Sequence, residues 1–316
     1  MPLAFISRNP TPLEVERFRL AMSTFCDGSG EQTEKDGSTR PGWRQIERVC
    51  AAVLGGDAPE NKDVFDVVLP CDVDAAVDYG LSVKSKELSR RVFERLNVDT
   101  RVYMELSNSP AKFFDALGKV GITVQNFLES NPKAVGDTVM ATVSQWHEEA
   151  KIRHETLLFN GRKLNIAKSV FLVVSHTPPV DGLRRRYQIH AFSLPFPKNM
   201  KWEYPSPKCL RGYDPAYPKE TLVDWYGLSG GQLKYYPRGT AALWHSEQFT
   251  LEQPVVVPIT AKAARLFPEQ WLKAKGKAEY PNETVAAEIE RLAIVMADKR
   301  GQAIARKFAE ELRKTR

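Results

Sequence analysis

Hydrophobic positions recur with two different periods along this chain, and the switches between them mark its elements. From Thr11 to about Phe25 the spacing is helical, with Thr11 as cap, Pro12 in the first position and Glu14 as the capping-box acid. Residues 27–40 are polar and glycine-rich and predict a mobile loop. Pro41 opens a second helix, closed by Gly55-Gly56, on which Trp43, Ile46, Cys50 and Val53 form an apolar stripe. Glu47 sits at the margin of that stripe and is expected half buried and turned towards the core. Strands are then predicted over 63–69 and 77–85, a short helix over 87–96 and a third strand over 101–107. Helices follow at 109–118 and roughly 133–155, the second with Val139, Val143, Trp146 and Ala150 at helical spacing. Ser169–Ser175 is apolar throughout and therefore expected to be central in a sheet, with the alternating strand 186–193 beside it.

Residues 195–260 change character. Pro195, Pro197, Pro205, Pro207, Pro215 and Pro218 interrupt them, so short strands with little helix are expected. The tail is helical again, with one stripe at Val285, Ile289, Leu292 and Met296 and another at Ile304, Phe308 and Leu312. No internal repeat or low-complexity tract is present. The pattern predicts an α/β protein: a central mixed sheet flanked by helices, a loop- and strand-rich extension, and C-terminal helices. The divisions run 1–40, 41–194, 195–280 and 281–316.

Composition adds modest constraints. A net charge of +6 and a pI near 9.0 suit a polyanionic partner without requiring one. Cys26, Cys50, Cys71 and Cys209 lie far apart with no CxxC, which argues against a disulfide framework or structural zinc and fits a reducing cytoplasm. No apolar run reaches membrane-spanning length, and the N-terminus lacks the build of a signal peptide.

The chemistry concentrates in the two strands at 63–69 and 77–85. Asp66 interrupts the apolar run Val64 to Leu69, a costly placement unless the charge is paired or binds metal. On the next strand Asp78, Gly80, Ser82, Lys84 and Lys86 share one face, while Tyr79, Leu81 and Val83 share the core face. A hairpin would bring Asp66 and Lys84 together. A simple cross-strand ion pair is one reading; a carboxylate holding a dication beside a lysine that orients water is the other.

The order of helix with inward glutamate, strand with aspartate, strand with lysine, then strand, helix and strand resembles the PD-(D/E)xK nuclease superfamily, the fold of most type II restriction endonucleases. The resemblance covers roughly residues 41–176. It implies that Asp66 binds metal, that Lys84 is the motif lysine and that Glu47 is the acid from the first core helix. Mg²⁺ is the implied ion, since no thiol or histidine cluster competes for a softer metal. Two positions depart from the pattern. Ser82 stands where the motif carries an acid, and Phe65 where it carries proline. Some restriction endonucleases have such an SxK variant, with the missing carboxylate supplied elsewhere. Glu47 is the preferred source; Asp78 and Glu94 are alternatives, though Asp78 also suits a pair with Lys86 and Glu94 a solvated charge among arginines.

DNA contacts are sought at Lys86, at Arg184-Arg185-Arg186, and at Lys234, Tyr235 and Arg238, where cations and aromatics mix after a glycine-rich turn. Structural roles compete at each. The five histidines, His147 and His154 among them, read as structural. The expectation is a site-specific endonuclease on double-stranded DNA, acting as a homodimer on palindromes and accompanied by a DNA methyltransferase. A repair or recombination nuclease and a non-cleaving DNA-binding protein are the alternatives.

Overall fold

The computed structural model describes residues 3–251, apart from short breaks at 27–29, 35–37, 60–63, 72–73, 159–160 and 180–183, together with isolated helical positions between 303 and 314. The C-terminal stripes at 285–296 and at Ile304, Phe308 and Leu312 lie outside the described residues, as does 252–280.

Helix α1 (Pro12–Ser23) starts as its sequence specifies: Thr11 N–H donates to the Glu14 carboxylate at 2.7 Å, and Glu14 N–H to Thr11 Oγ1 at 3.2 Å. Part of the expected loop at 27–40 is instead a short antiparallel pair, β1 (Gln32–Thr33) with β2 (Thr39–Arg40). Buried Thr39 pins it by donating to the Phe25 carbonyl at 2.6 Å, and Glu34 ties it to Arg40 and Arg185. Helix α2 (Trp43–Leu54) buries Ile46, Val49, Cys50 and Ala51, but Trp43, expected inside, is 56% exposed because it sits on the first turn, beyond the edge of the sheet-facing side.

Then come β3 (Val67–Pro70), β4 (Val77–Glu87), α3 (Arg90–Glu94), β5 (Met104–Ser107), α4 (Pro110–Gly118) and α5 (Pro132–Arg153). After α5 follow β6 (Lys163–Leu164), β7 (Val170–His176) and β8 (Arg186–Ser193), then β9 (Lys201–Ser206), β10 (Cys209–Asp214), β11 (Tyr217–Trp225) and β12 (Leu233–Tyr235). Two short strands, β13 (Trp244–His245) and β14 (Phe249–Thr250), both pair with β8.

The first sheet runs β3-β4-β7-β8-β13 and is mixed. β3 is antiparallel to β4, β4 is parallel to β7, and β7 is antiparallel to β8. A parallel neighbour requires a long crossover, and here α3, β5, α4 and α5 supply it. β7 is buried at every residue, as its unbroken apolar run predicts. Because β3 and β7 fill both edges of β4, the third predicted strand cannot join them. Instead β5 pairs with β12, at one end of a second, antiparallel sheet ordered β5-β12-β11-β10-β9. The prolines of this region fall where strands tolerate them. Pro205 lies on edge strand β9, and Pro218 in the irregular start of β11 between the Asp214–Tyr217 and Tyr213–Thr221 pairings.

Apolar layers cover both faces of the first sheet. On one, Phe18 and Met22 of α1 and Ile46, Val49 and Cys50 of α2 pack on Leu81, Val83, Leu172 and Val174. On the other, Phe113 of α4 and Val139 and Val143 of α5 lie between Phe171, Val173 and Phe192 and the second sheet's Leu210, Trp225 and Leu233. Trp225 is fully buried, ringed by Phe113, Phe114 and Phe127 at centroid distances of 5.4–5.5 Å. Among the described residues no helix is long and apolar enough to cross a membrane.

Candidate active site

Asp66 lies one residue before β3, where ladder pairing with β4 begins at Val67–Leu81. Its N–H donates to the Leu81 carbonyl at 2.9 Å, while its Oδ2 accepts from Val83 N–H at 2.8 Å and from Lys84 Nζ at 3.2 Å. The carboxylate is buried and the ammonium partly exposed. Gly80 makes this bend possible, since a Cβ there would lie 2.3 Å from the Phe65 ring, which packs directly over it.

Glu47 is 3% exposed, more deeply buried than the expected half, and accepts from Arg44 at 2.8 Å. Burial pushes the Cys50 thiol far up, and the negative charges of Glu47 and Asp66 push it further. Two carboxylates without a thiolate are the donor set that a hard dication accepts, its remaining ligands coming from water and phosphate oxygens. Among the described residues no group of three or more His, Cys, Asp or Glu side chains converges as a metal site.

Ser82 is 2% exposed and cross-strand from Phe171, so the lysine face of β4 is covered rather than solvated at this point. The two alternative acids lie elsewhere. Asp78 sits six residues back along β4, ~20 Å from Lys84. It is buried and accepts from Arg162 Nε at 2.9 Å and pairs with His154 Nε2 at 2.9 Å, not with Lys86. Glu94 is half exposed and bridges Arg90 and Arg186, both at 2.9 Å.

Of the sought DNA contacts, Lys86 and Lys234 meet. Lys86 Nζ lies 4.5 Å above the Tyr103 ring; Lys234 Nζ lies 5.8 Å from the same ring and 4.6 Å from Tyr226. Tyr103 and Tyr226 carry no sequence signal of this role, because only the pairing of β5 with β12 brings them to the end of β4. The others disperse. Tyr235 is buried with its ring edge-on to Phe196 at 5.1 Å, and Arg238 stacks on Tyr217 and donates to Glu220. Arg185 turns inward to Glu34, Glu87 and the Thr177 carbonyl, Arg186 reaches Gln248 and Glu94, and exposed Arg184 reaches the Leu251 carbonyl.

Sequence reasoning also passed over His147 as a site residue. It continues the α5 stripe of Val139, Val143 and Ala150, and its ring stacks on Phe65 (5.9 Å, 21°) and tilts against Phe171 (6.0 Å). Burial, with the Lys84 charge behind it, lowers its pKa to about 4. Burial likewise takes His176 to about 4, with Arg40 adding to it, and His190 to about 3, with His245 adding to it. Unfolding restores these groups to about 6.5, so below that pH the unfolded chain binds more protons and stability falls as pH falls. Thermal melts should show a constant Tm above about pH 7 and a decline already between about pH 6.5 and 5, above the carboxylate range. A flat Tm across that window would contradict the buried neutral imidazoles.

No protein-family model matches the chain, and neither a curated protein nor a solved structure matches it.

Proposed function

We propose that the protein is a Mg²⁺-dependent endonuclease with a restriction-endonuclease-like core that cuts double-stranded DNA at specific sites. The observation that carries this reading is the meeting of Asp66 and Lys84 at 3.2 Å where β3 joins β4, with Glu47 buried on α2, which packs on the same sheet. In it, Asp66 and Glu47 hold the dication, which when bound supplies Lewis-acid stabilisation of the phosphate charge. Lys84 leaves Asp66 to orient the attacking water and to offset the charge of the scissile phosphate. Lys86 and Lys234, gathered over Tyr103, take a neighbouring phosphate. A homodimer would present two such sites to a palindrome, and a cognate methyltransferase would protect the host's own copies of that sequence.

The test is incubation of the purified protein with supercoiled plasmid and unmethylated bacterial genomic DNA, with Mg²⁺ or with EDTA. Discrete fragments in Mg²⁺ alone support the reading; smearing supports a less specific repair or recombination nuclease. A gel shift without cutting supports a DNA-binding protein, which the buried serine at position 82 favours as second reading. The double change Lys86→Ala/Lys234→Ala should weaken binding to all duplexes alike and reduce the slope of log K against log salt by about 2, near 0.9 per phosphate contact. An unchanged slope would remove both lysines from the interface.

A further inference from the structure

The site lacks an acid at position 82, and an imidazole packs on the two aromatic rings that flank that part of β4. His147 reaches from α5 onto the lysine face of β4, its ring held between Phe65, which packs over Gly80, and Phe171, the cross-strand partner of Ser82. Ser82 is small enough to leave this space to the ring. Among the described residues neither ring nitrogen of His147 has a hydrogen-bond partner, and neither belongs to the fully sealed, unpartnered polar atoms such as His190 Nδ1. His147 is 4% exposed, so the ring is deeply buried with its nitrogens just short of sealed, on the face of β4 that carries Lys84.

Resting on the nuclease reading, in which Glu47 replaces the missing acid as metal ligand, we propose that His147 supplies the proton acceptor on this face of β4, one ring nitrogen accepting a hydrogen bond from the attacking water that Lys84 orients. The water oxygen forms the new P–O bond as the bond from phosphorus to the leaving ester oxygen breaks. One water proton passes to the imidazole and on to solvent, and the leaving oxygen takes a proton from solvent. Burial keeps the imidazole neutral, so it presents a lone pair that can take a proton, as a carboxylate does. The charged group facing the ring is Lys84 on β4, itself bonded to Asp66; β7 presents Phe171 and the segment before β3 presents Phe65.

Two variants separate the nitrogen from the ring. His147→Phe keeps the aromatic stack and loses the acceptor; His147→Glu loses the stack and keeps a group that can take a proton. With plasmid, genomic DNA and Mg²⁺, His147→Phe should lower kcat about 10²-fold with KM within about twofold, and His147→Glu should recover about tenfold of that loss. A His147→Phe rate within about threefold of wild type, or a His147→Glu rate no higher than His147→Phe in proteins of equal Tm, overturns the assignment and leaves the nuclease reading standing. A wild-type protein that cuts nothing removes the nuclease reading and this role with it.

Discussion

Lys84→Ala should reduce Mg²⁺-dependent cleavage by about 10³-fold or more while the protein stays folded. Lys84 is the cation opposite Asp66, and in the proposed nuclease it would also meet water and phosphate. Its removal leaves Asp66 buried with the Val83 N–H as a partner, which should cost ~1–3 kcal/mol of stability. Single-turnover cleavage and a thermal melt on the same preparation separate the two effects. Lys84→Arg should restore charge but not rate, because a planar guanidinium does not place its donors where a compact ammonium does. Full activity in Lys84→Ala would sink the site.

A change far from the chemistry should have the largest effect on the fold. Trp225→Ala removes a fully buried ring from the centre of Phe113, Phe114 and Phe127, at a cost of ~3–5 kcal/mol. For a chain of this size that corresponds to a fall in Tm of roughly 5–8 °C. Trp225→Phe should be much milder, since the indole Nε1 is buried without a partner and its loss removes an unsatisfied donor. Equal Tm values for the alanine variant and wild type would mean that the two layers around this ring are not jointly packed.

Much of the first sheet was legible in the sequence. Alternation in 77–85 placed Leu81 and Val83 on the core and Lys84 beside Asp66, because period-two patterns report faces directly. The capping box at Thr11–Glu14 was read from three residues and formed as read. What the pattern does not report is which edge a strand joins. The stretch 101–107 reads as a strand, yet its partner β12 lies more than a hundred residues on, and only that pairing sets Tyr103 between two lysines. Charge runs mislead for a related reason. Three successive arginines at 184–186 look like a patch, but each finds a different partner, and Arg185 is drawn inward by Glu34 from an element distant in sequence. His147 was hidden by belonging to a core stripe, where an imidazole and an apolar residue occupy the same helical position.

The placement of β5 also bears on how this protein can change. Its sequence lies between β4 and β7 of the first sheet, while its partners lie beyond residue 200, so the chain weaves through both sheets. A cut at about residue 194 would therefore not release an independent catalytic half; it would strip β5 of its neighbour and open the aromatic centre to water. Exchanging 195–250 for the corresponding segment of another protein, the usual route by which modular enzymes acquire new targets, should yield insoluble chains rather than new specificities. New target preference would have to arrive by single substitutions around Tyr103 and Lys234, each tested against a core shared with the machinery it serves.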